Sequence, residues 1–263
     1  MLSSKYFEWG ILKMYKEFDD IVTKFKEINS KGYIKGINNN LLNSAGLTLE
    51  DLLGKKPDSL FFPDYKGIEI KTTQRFSGYP ITLFTTSFDG PSIFESNYIL
   101  NTYGKYDVQY KDKKVLMTSL YFNKKILYNN YYFQLVFDDK NEFIYIKIYD
   151  SKFKLLERRG IVEFKTLENK LMIKLKRLCV IYASKKMIDN NLYFRYYKIE
   201  CYQLKRFNVF LDTLKNGQLK ISLILRISRS EKQEGKQKNK NLVVAINKGD
   251  LESIFEKVYS FEK

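Results

Sequence analysis

The feature that most constrains this chain is a succession of short aromatic and β-branched runs set apart by turn signals. Asp107–Tyr110, Val115–Phe122, Tyr131–Phe137 and Phe143–Tyr149 each read as a strand. Asn129-Asn130 and the stretch from Asp138 to Asn141 read as hairpin turns between them. Ile161–Lys165, Leu178–Ala183, Tyr193–Tyr202, Gln218–Ile227 and Leu242–Ile246 continue the pattern, with Asn216-Gly217 as a further turn. Helical spacing occupies the remainder. Phe7, Ile11, Met14, Phe18, Ile21, Val22 and Phe25 predict helix over residues 4–29, with Trp9 in its packing. Thr48 can cap a helix starting at Leu49. Leu167–Leu175, Phe207–Leu214 and an amphipathic stretch Asp250–Tyr259 predict three more. The chain therefore reads as α/β (α+β), a mixed sheet flanked by helices.

One stretch, PDYKGIEIKT from Pro63 to Thr72, carries the chemistry. Tyr65-Lys66-Gly67 predicts a tight turn, and Ile68 to Lys71 a strand. Side chains alternate across a strand, so Glu69 and Lys71 share one face while Ile68 and Ile70 share the other. The turn can bring Asp64 back beside Glu69. Two carboxylates and an ammonium then converge at the end of a half-buried strand. Hard oxygen donors of this kind suit Mg²⁺, and the nearby cation suits cleavage of a phosphodiester. An amphipathic strand with a solvated outer face is the plainer reading of Asp-x4-Glu-x-Lys alone. Pro57-Asp58 is a second Pro-Asp, but no Glu-x-Lys follows it at short spacing.

The flanks decide between these readings. GLTLEDLLG (Gly46 to Gly54) precedes the motif and ITLFTT (Ile81 to Thr86) follows it, as a predicted neighbouring strand. Together the three blocks resemble the MvaI/BcnI family of type II restriction endonucleases, relatives of the MutH/Sau3AI nucleases. The resemblance implies a PD-(D/E)xK nuclease core with a basic DNA-recognition lobe. It implies Mg²⁺ held by Asp64, Glu69 and the Ile70 carbonyl, Lys71 as the catalytic lysine, and Glu50 as an acidic residue supporting the metal site. A glutamate at a helix start is also favoured by the helix dipole alone. The resemblance further implies a monomer that nicks each strand of double-stranded DNA in turn, and a cognate DNA methyltransferase linked genetically rather than physically.

Composition narrows the chemistry. Histidine is absent from the 263 residues, which excludes Ser-His-Asp triads and His-ligated metals. A carboxylate-and-lysine phosphodiesterase survives that filter. Cys179 and Cys201 stand in apolar surroundings and read as buried thiols of a reducing cytoplasm. No apolar run is long enough to span a membrane.

The net charge of +16 is unevenly spread along the sequence. Residues 1–150 hold 20 basic against 18 acidic residues, and residues 151–263 hold 26 against 12. A near-neutral catalytic lobe (1–150) and a basic DNA-gripping lobe (151–263) are the expected division, with a polyanion as partner. Ser228 to Asn241 predicts a basic hairpin loop offering Arg229, Lys232, Lys236, Lys238 and Lys240 to DNA, and Arg75 lies just past the motif strand. Two other functions share these features: a MutH-like strand-nicking repair endonuclease, and a non-catalytic DNA-binding protein with a structural Asp-Glu-Lys cluster.

Overall fold

The computed structural model describes residues 16–39, 43–55, 62–74, 78–229 and 233–263. The expectations for Trp9, the first part of the N-terminal helix, Pro57-Asp58, Arg75 and Lys232 lie outside these residues. In chain order the elements are α1 (Asp19–Ser30), β1 (Ile34–Lys35), α2 (Ser44–Leu52), β2 (Glu69–Gln74), β3 (Ile81–Thr86), α3 (Ser92–Tyr103), β4 (Lys105–Tyr106) and β5 (Lys114–Leu120). There follow β6 (Ile126–Tyr128), β7 (Tyr131–Asp138), β8 (Phe143–Tyr149), β9 (Leu155–Glu163), α4 (Phe164–Lys174), β10 (Arg177–Ile188) and β11 (Asn191–Leu204). The chain closes with α5 (Phe207–Lys215), β12 (Leu219–Ile227), β13 (Gln237–Ile246), α6 (Leu251–Ile254) and β14 (Phe255–Glu262).

These elements form two compact units that interleave along the sequence. One comprises residues 1–79, 172–205 and 254–263, the other 80–171 and 206–253. The units do not divide at residue 150, and they share the charge equally. The first holds 22 basic and 14 acidic residues and the second 24 and 16, so each is +8. Charge counted along the sequence thus gave a polarity that the three-dimensional units do not have.

In the first unit the strands run β1-β11-β10-β2, and β14 also pairs with β11. β2 and β10 are parallel, with Glu69, Ile70 and Lys71 opposite Leu178, Cys179 and Val180. β10 and β11 are antiparallel, with Cys179 opposite Cys201 and Val180 opposite Glu200. One face of this sheet buries Ile68, Ile70, Cys179, Ile181, Ile199 and Cys201 against Phe18, Ile21 and Phe25 of the α1 region and Leu49 of α2. Asn29 fastens α1 by donating to the Tyr196 carbonyl at 2.8 Å, and the Tyr196 hydroxyl fastens α2 by donating to the Ala45 carbonyl at 2.7 Å. The two thiols are free and buried, with their sulfurs 3.0 Å apart, and burial pushes the Cys179 thiol well up.

Three expectations are corrected in this unit and its flanks. The Ile81–Thr86 strand forms as predicted, but it does not neighbour the motif strand. It pairs with β13 in the other unit's five-stranded sheet, β3-β13-β12-β5-β4, while β2 takes β10 as its partner. The helix expected to start at Leu49 begins a turn earlier, at Ser44. Thr48 is therefore inside it, buried, and its hydroxyl accepts the Ile37 N–H at 3.1 Å instead of capping. The C-terminal helix expected over Asp250–Tyr259 is a single turn. From Phe255 the chain becomes a strand on β11, whose edge offers hydrogen bonds to an aromatic-rich segment that fits either period.

In the second unit the predicted strands Tyr131–Phe137 and Phe143–Tyr149 pair as β7 and β8 of a separate sheet, β6-β7-β8-β9, whereas Val115–Phe122 forms as β5 in the five-stranded sheet instead. Asn129 and Asn130 both have positive φ, as a tight hairpin requires. Asp107–Tyr110 is a turn, not a strand: the Asp107 carboxylate accepts the Gln109 and Tyr110 amides at 2.9 Å. Gly160 in β9 has φ +67°, and a Cβ there would lie 2.6 Å from the buried Phe88 ring. Gly160→Ala should lower the unfolding free energy by roughly 2–4 kcal/mol, combining left-handed strain with an overpacked contact. A urea unfolding curve measures it, and a change below half a kcal/mol would show that the Phe88 ring can step aside.

Candidate active site

Two local structures set the site's geometry. The first is the turn before β2. Lys66 and Gly67 have φ 45° and 81°, and the Tyr65 and Ile68 backbones exchange hydrogen bonds of 2.9 and 2.8 Å. The buried Tyr65 anchors this turn by donating its hydroxyl to Asp20 of α1, and Lys66 approaches the same carboxylate at 3.0 Å. The second is the end of α2. Gly54, at φ +75°, donates its N–H to Asp51 at 2.9 Å, and Lys55 donates its N–H to Glu50 at 2.9 Å. This is a Schellman motif with glycine at the left-handed position.

Asp64 folds back over the turn as predicted. Its Oδ2 accepts the Ile70 N–H at 3.0 Å, and its Oδ1 pairs with the Lys55 ammonium. β2 is the outermost described strand, with β10 on its other side. The N–H and C=O of one strand residue face the same way. The Ile70 amide meets Asp64, so its carbonyl lies along that same free edge, where it can serve as a ligand beside Asp64.

Glu69 is 1% exposed. Its Oε1 accepts the Lys71 ammonium at 2.5 Å, and Lys174, the last residue of α4, comes within 3.4 Å of the same oxygen. Its Oε2 is buried and has no hydrogen-bond partner among the described residues. Burial pushes the Glu69 carboxyl above its usual range and Asp64 adds to that, against the pull of Lys71 and Lys174. Burial works the same way on Asp64, but there the Lys55 ammonium, the Ile70 amide and Lys71 outweigh it and hold the carboxyl low.

A second buried glutamate on the same face provides a comparison. Glu200 lies two strands from Lys71, in register through Val180. Its Oε2 accepts the Tyr182 and Tyr202 hydroxyls at 2.6 and 2.9 Å, and Lys198 and Lys257 both stand 3.3 Å from Oε1. Glu200 is fully engaged and Glu69 is not. An unsatisfied buried carboxylate oxygen is costly unless something absent from the bare chain completes it. A divalent cation fits: the donors are hard oxygens, and positive charge offsets both the desolvation of Glu69 and the proximity of Asp64.

A profile of the MvaI/BcnI restriction endonuclease family matches residues 22–255. The chain belongs to the MvaI/BcnI restriction endonuclease family. It is a site-specific type II deoxyribonuclease. Two solved structures share its fold. The restriction endonuclease MvaI in complex with cognate DNA superposes with a TM-score of 0.83 at 24% identity, over 92% of this chain and 99% of that one. MvaI in the absence of DNA gives 0.56 at 21% identity, over 92% and 96%. No curated protein sequence matches the chain. Restriction endonucleases of this family generally use a divalent metal.

The structure brings together Asp64, Glu69, Ile70 and Lys71, and adds Lys55 and Lys174, which the sequence reading missed. Lys55 had a local signal: it follows a leucine-rich helix and its terminal glycine. Lys174 had none, since its contact depends on the parallel pairing of β10 with β2. Glu50 lies half-buried on α2, which packs beside β2. Among the described residues, no three His, Cys, Asp or Glu side chains are placed to hold a metal by themselves. Among the described residues, no helix is long and apolar enough to cross a membrane.

The basic hairpin of the second unit also differs from expectation. β13 begins at Gln237, so Lys238 and Lys240 lie on a strand rather than in a loop. Arg229 is braced: its guanidinium donates to both Asp107 oxygens at 2.7 and 2.6 Å and to Gln109 at 2.8 Å, and packs over the Tyr110 ring. Arg226 and Lys238 face each other across the hairpin. Like charges directly opposite are unfavourable in a sheet and are relieved by an anion.

Proposed function

We propose that this endonuclease cuts double-stranded DNA at a short specific sequence in a Mg²⁺-dependent reaction, with Asp64, Glu69 and the Ile70 carbonyl holding the metal and Lys71 serving the attacking water. The Oε2 of buried Glu69, without a hydrogen-bond partner among the described residues, lies beside Asp64 and on the strand of Lys71, and carries this reading. A divalent cation held there would supply Lewis-acid chemistry to the phosphodiester. Lys71 holds the attacking water and offsets charge developing on the phosphate. Glu50, on the neighbouring helix, supports the metal ligands. Lys236, Lys238 and Lys240, with the braced Arg229, contact phosphates, and Arg75 and Lys232 are further DNA contacts. The grip on DNA draws on both equally basic units. The enzyme acts as a monomer in the cytoplasm, nicking each strand in turn, and its cognate methyltransferase is a genetic rather than a physical partner.

Digesting genomic DNA with the protein and Mg²⁺, then sequencing the ends, tests this function. The expected result is one recurring short sequence at every double-strand end, with 5′-phosphates, and no cutting in EDTA. Nicks confined to one strand would favour a strand-nicking repair enzyme, and scattered ends or none would overturn the proposal.

A further inference from the structure

The sheet face that carries Glu69 and Lys71 extends well past them within the first unit. Lys71 is in register with Val180 and, through it, with Glu200. Two residues further along, Thr73 aligns with Tyr182 and Lys198, and Lys198 stands 3.3 Å from both Glu200 and Glu262. Beyond that row the same face presents Ser184 opposite Arg195, then Tyr193 between Lys186 of β10 and Lys35 of β1. Tyr33 joins them: its hydroxyl is 3.4 Å from Ser184 Oγ, and the Lys186 ammonium lies over its ring at 4.0 Å. From Ser184 outward no strand residue on this face is acidic. Among the described residues, Lys35, Lys186 and Arg195 have no acidic partner. Arg195 is half-buried, and its Nε is covered without a hydrogen-bond acceptor among the described residues. We propose that Arg195, Lys186 and Lys35 form a phosphate track that grips the cleaved duplex outside the recognised sequence. The proposal rests on Glu69 and Lys71 marking the place of cleavage.

The strand rise sets the reach of the track. At about 3.3 Å per residue, Ser184 and Arg195 lie about 13 Å beyond the level of Lys71, and Lys186 about 20 Å. Phosphates of one DNA strand succeed each other about every 3.4 Å of helix axis, so a duplex lying along these strands sets phosphates roughly four to six nucleotides from the cut over the track. A phosphate offsets the partial burial of the Arg195 guanidinium. The Tyr33 and Ser184 hydroxyls are donors beside it. Contacts of this kind position the duplex and add affinity, but they read no base. Their signature is therefore a dependence on the length of flanking DNA, on one side of the site and whatever its sequence.

Duplexes carrying the enzyme's mapped cut site, with a short or a long flank on either side, are the probe, and their affinity is measured in EDTA, where no strand is cut. The wild type should bind the long-flanked duplex roughly 10-fold tighter or more on one side of the site, since each phosphate contact releases a counterion. Arg195→Gln, and Lys35→Ala combined with Lys186→Ala, should bind the short duplex as the wild type does and lose most of the gain from length. On the long duplex, the double variant should lower the slope of log affinity against log salt by about 2. Damage to the fold weakens both duplexes alike, so it cannot mimic a selective loss. If Arg195→Gln weakens both, the double variant decides, because Lys35 and Lys186 are exposed. A wild type that gains nothing from length, or a double variant that keeps the whole gain, overturns the track. A protein that cuts at no fixed site overturns the function beneath the proposal instead.

Discussion

Glu69→Ala should lower single-turnover cleavage by roughly three orders of magnitude or more, because a bound metal supplies several kcal/mol of transition-state stabilisation. Asp64→Ala should do the same. Neither carboxylate needs to touch a base, so duplex affinity measured in EDTA should stay within a few-fold of wild type. Glu69→Ala should also be no less stable than wild type. Its carboxylate is almost fully buried with one oxygen unmatched among the described residues, and removing it relieves that cost. Lys71 and Lys174 lose a partner, but their side chains are 26% and 18% exposed and reach water. Full activity in either variant would place the chemistry elsewhere. A sharp fall in stability for Glu69→Ala would mean that the glutamate serves the fold instead.

Lys71→Arg should cost roughly 10² to 10⁴ in rate at saturating Mg²⁺, the range for losing a positioned proton-transfer group. The charge is kept, so a role confined to electrostatics would survive the change. What is lost is a compact ammonium able to sit 2.5 Å from Glu69 Oε1 and turn to a water from there. The guanidinium is planar, wider and never deprotonated. Rapid-quench single-turnover kinetics measure the chemical step, and an unchanged rate would reduce Lys71 to a fixed charge.

The motif strand was legible in the sequence because its determinants are local. A Lys-Gly turn and a period of two place Glu69 and Lys71 on one face and two isoleucines on the other. The same locality made the Asn129-Asn130 hairpin and the Phe143–Tyr149 strand readable to the residue. What the sequence hid was long-range. The partner of β2 is more than a hundred residues away, so ITLFTT was assigned to the wrong neighbour and Lys174 was invisible. Thr48 fits a helix cap by residue type, yet its hydroxyl is claimed by a backbone amide eleven residues earlier. Phe255–Glu262 fits a helix by its apolar spacing, yet the open edge of β11 wins it as a strand. The split in charge at residue 150 was real in the sequence and vanished in the units, because the chain crosses between them repeatedly.

The most direct test of the account is to locate the metal. A crystal soaked in Mn²⁺ and recorded at the manganese absorption edge should show an anomalous peak about 2–2.3 Å from Glu69 Oε2, an Asp64 oxygen and the Ile70 carbonyl, as hard-cation coordination requires. A peak at Glu200 or any other carboxylate, with none between Asp64 and Glu69, would contradict the account.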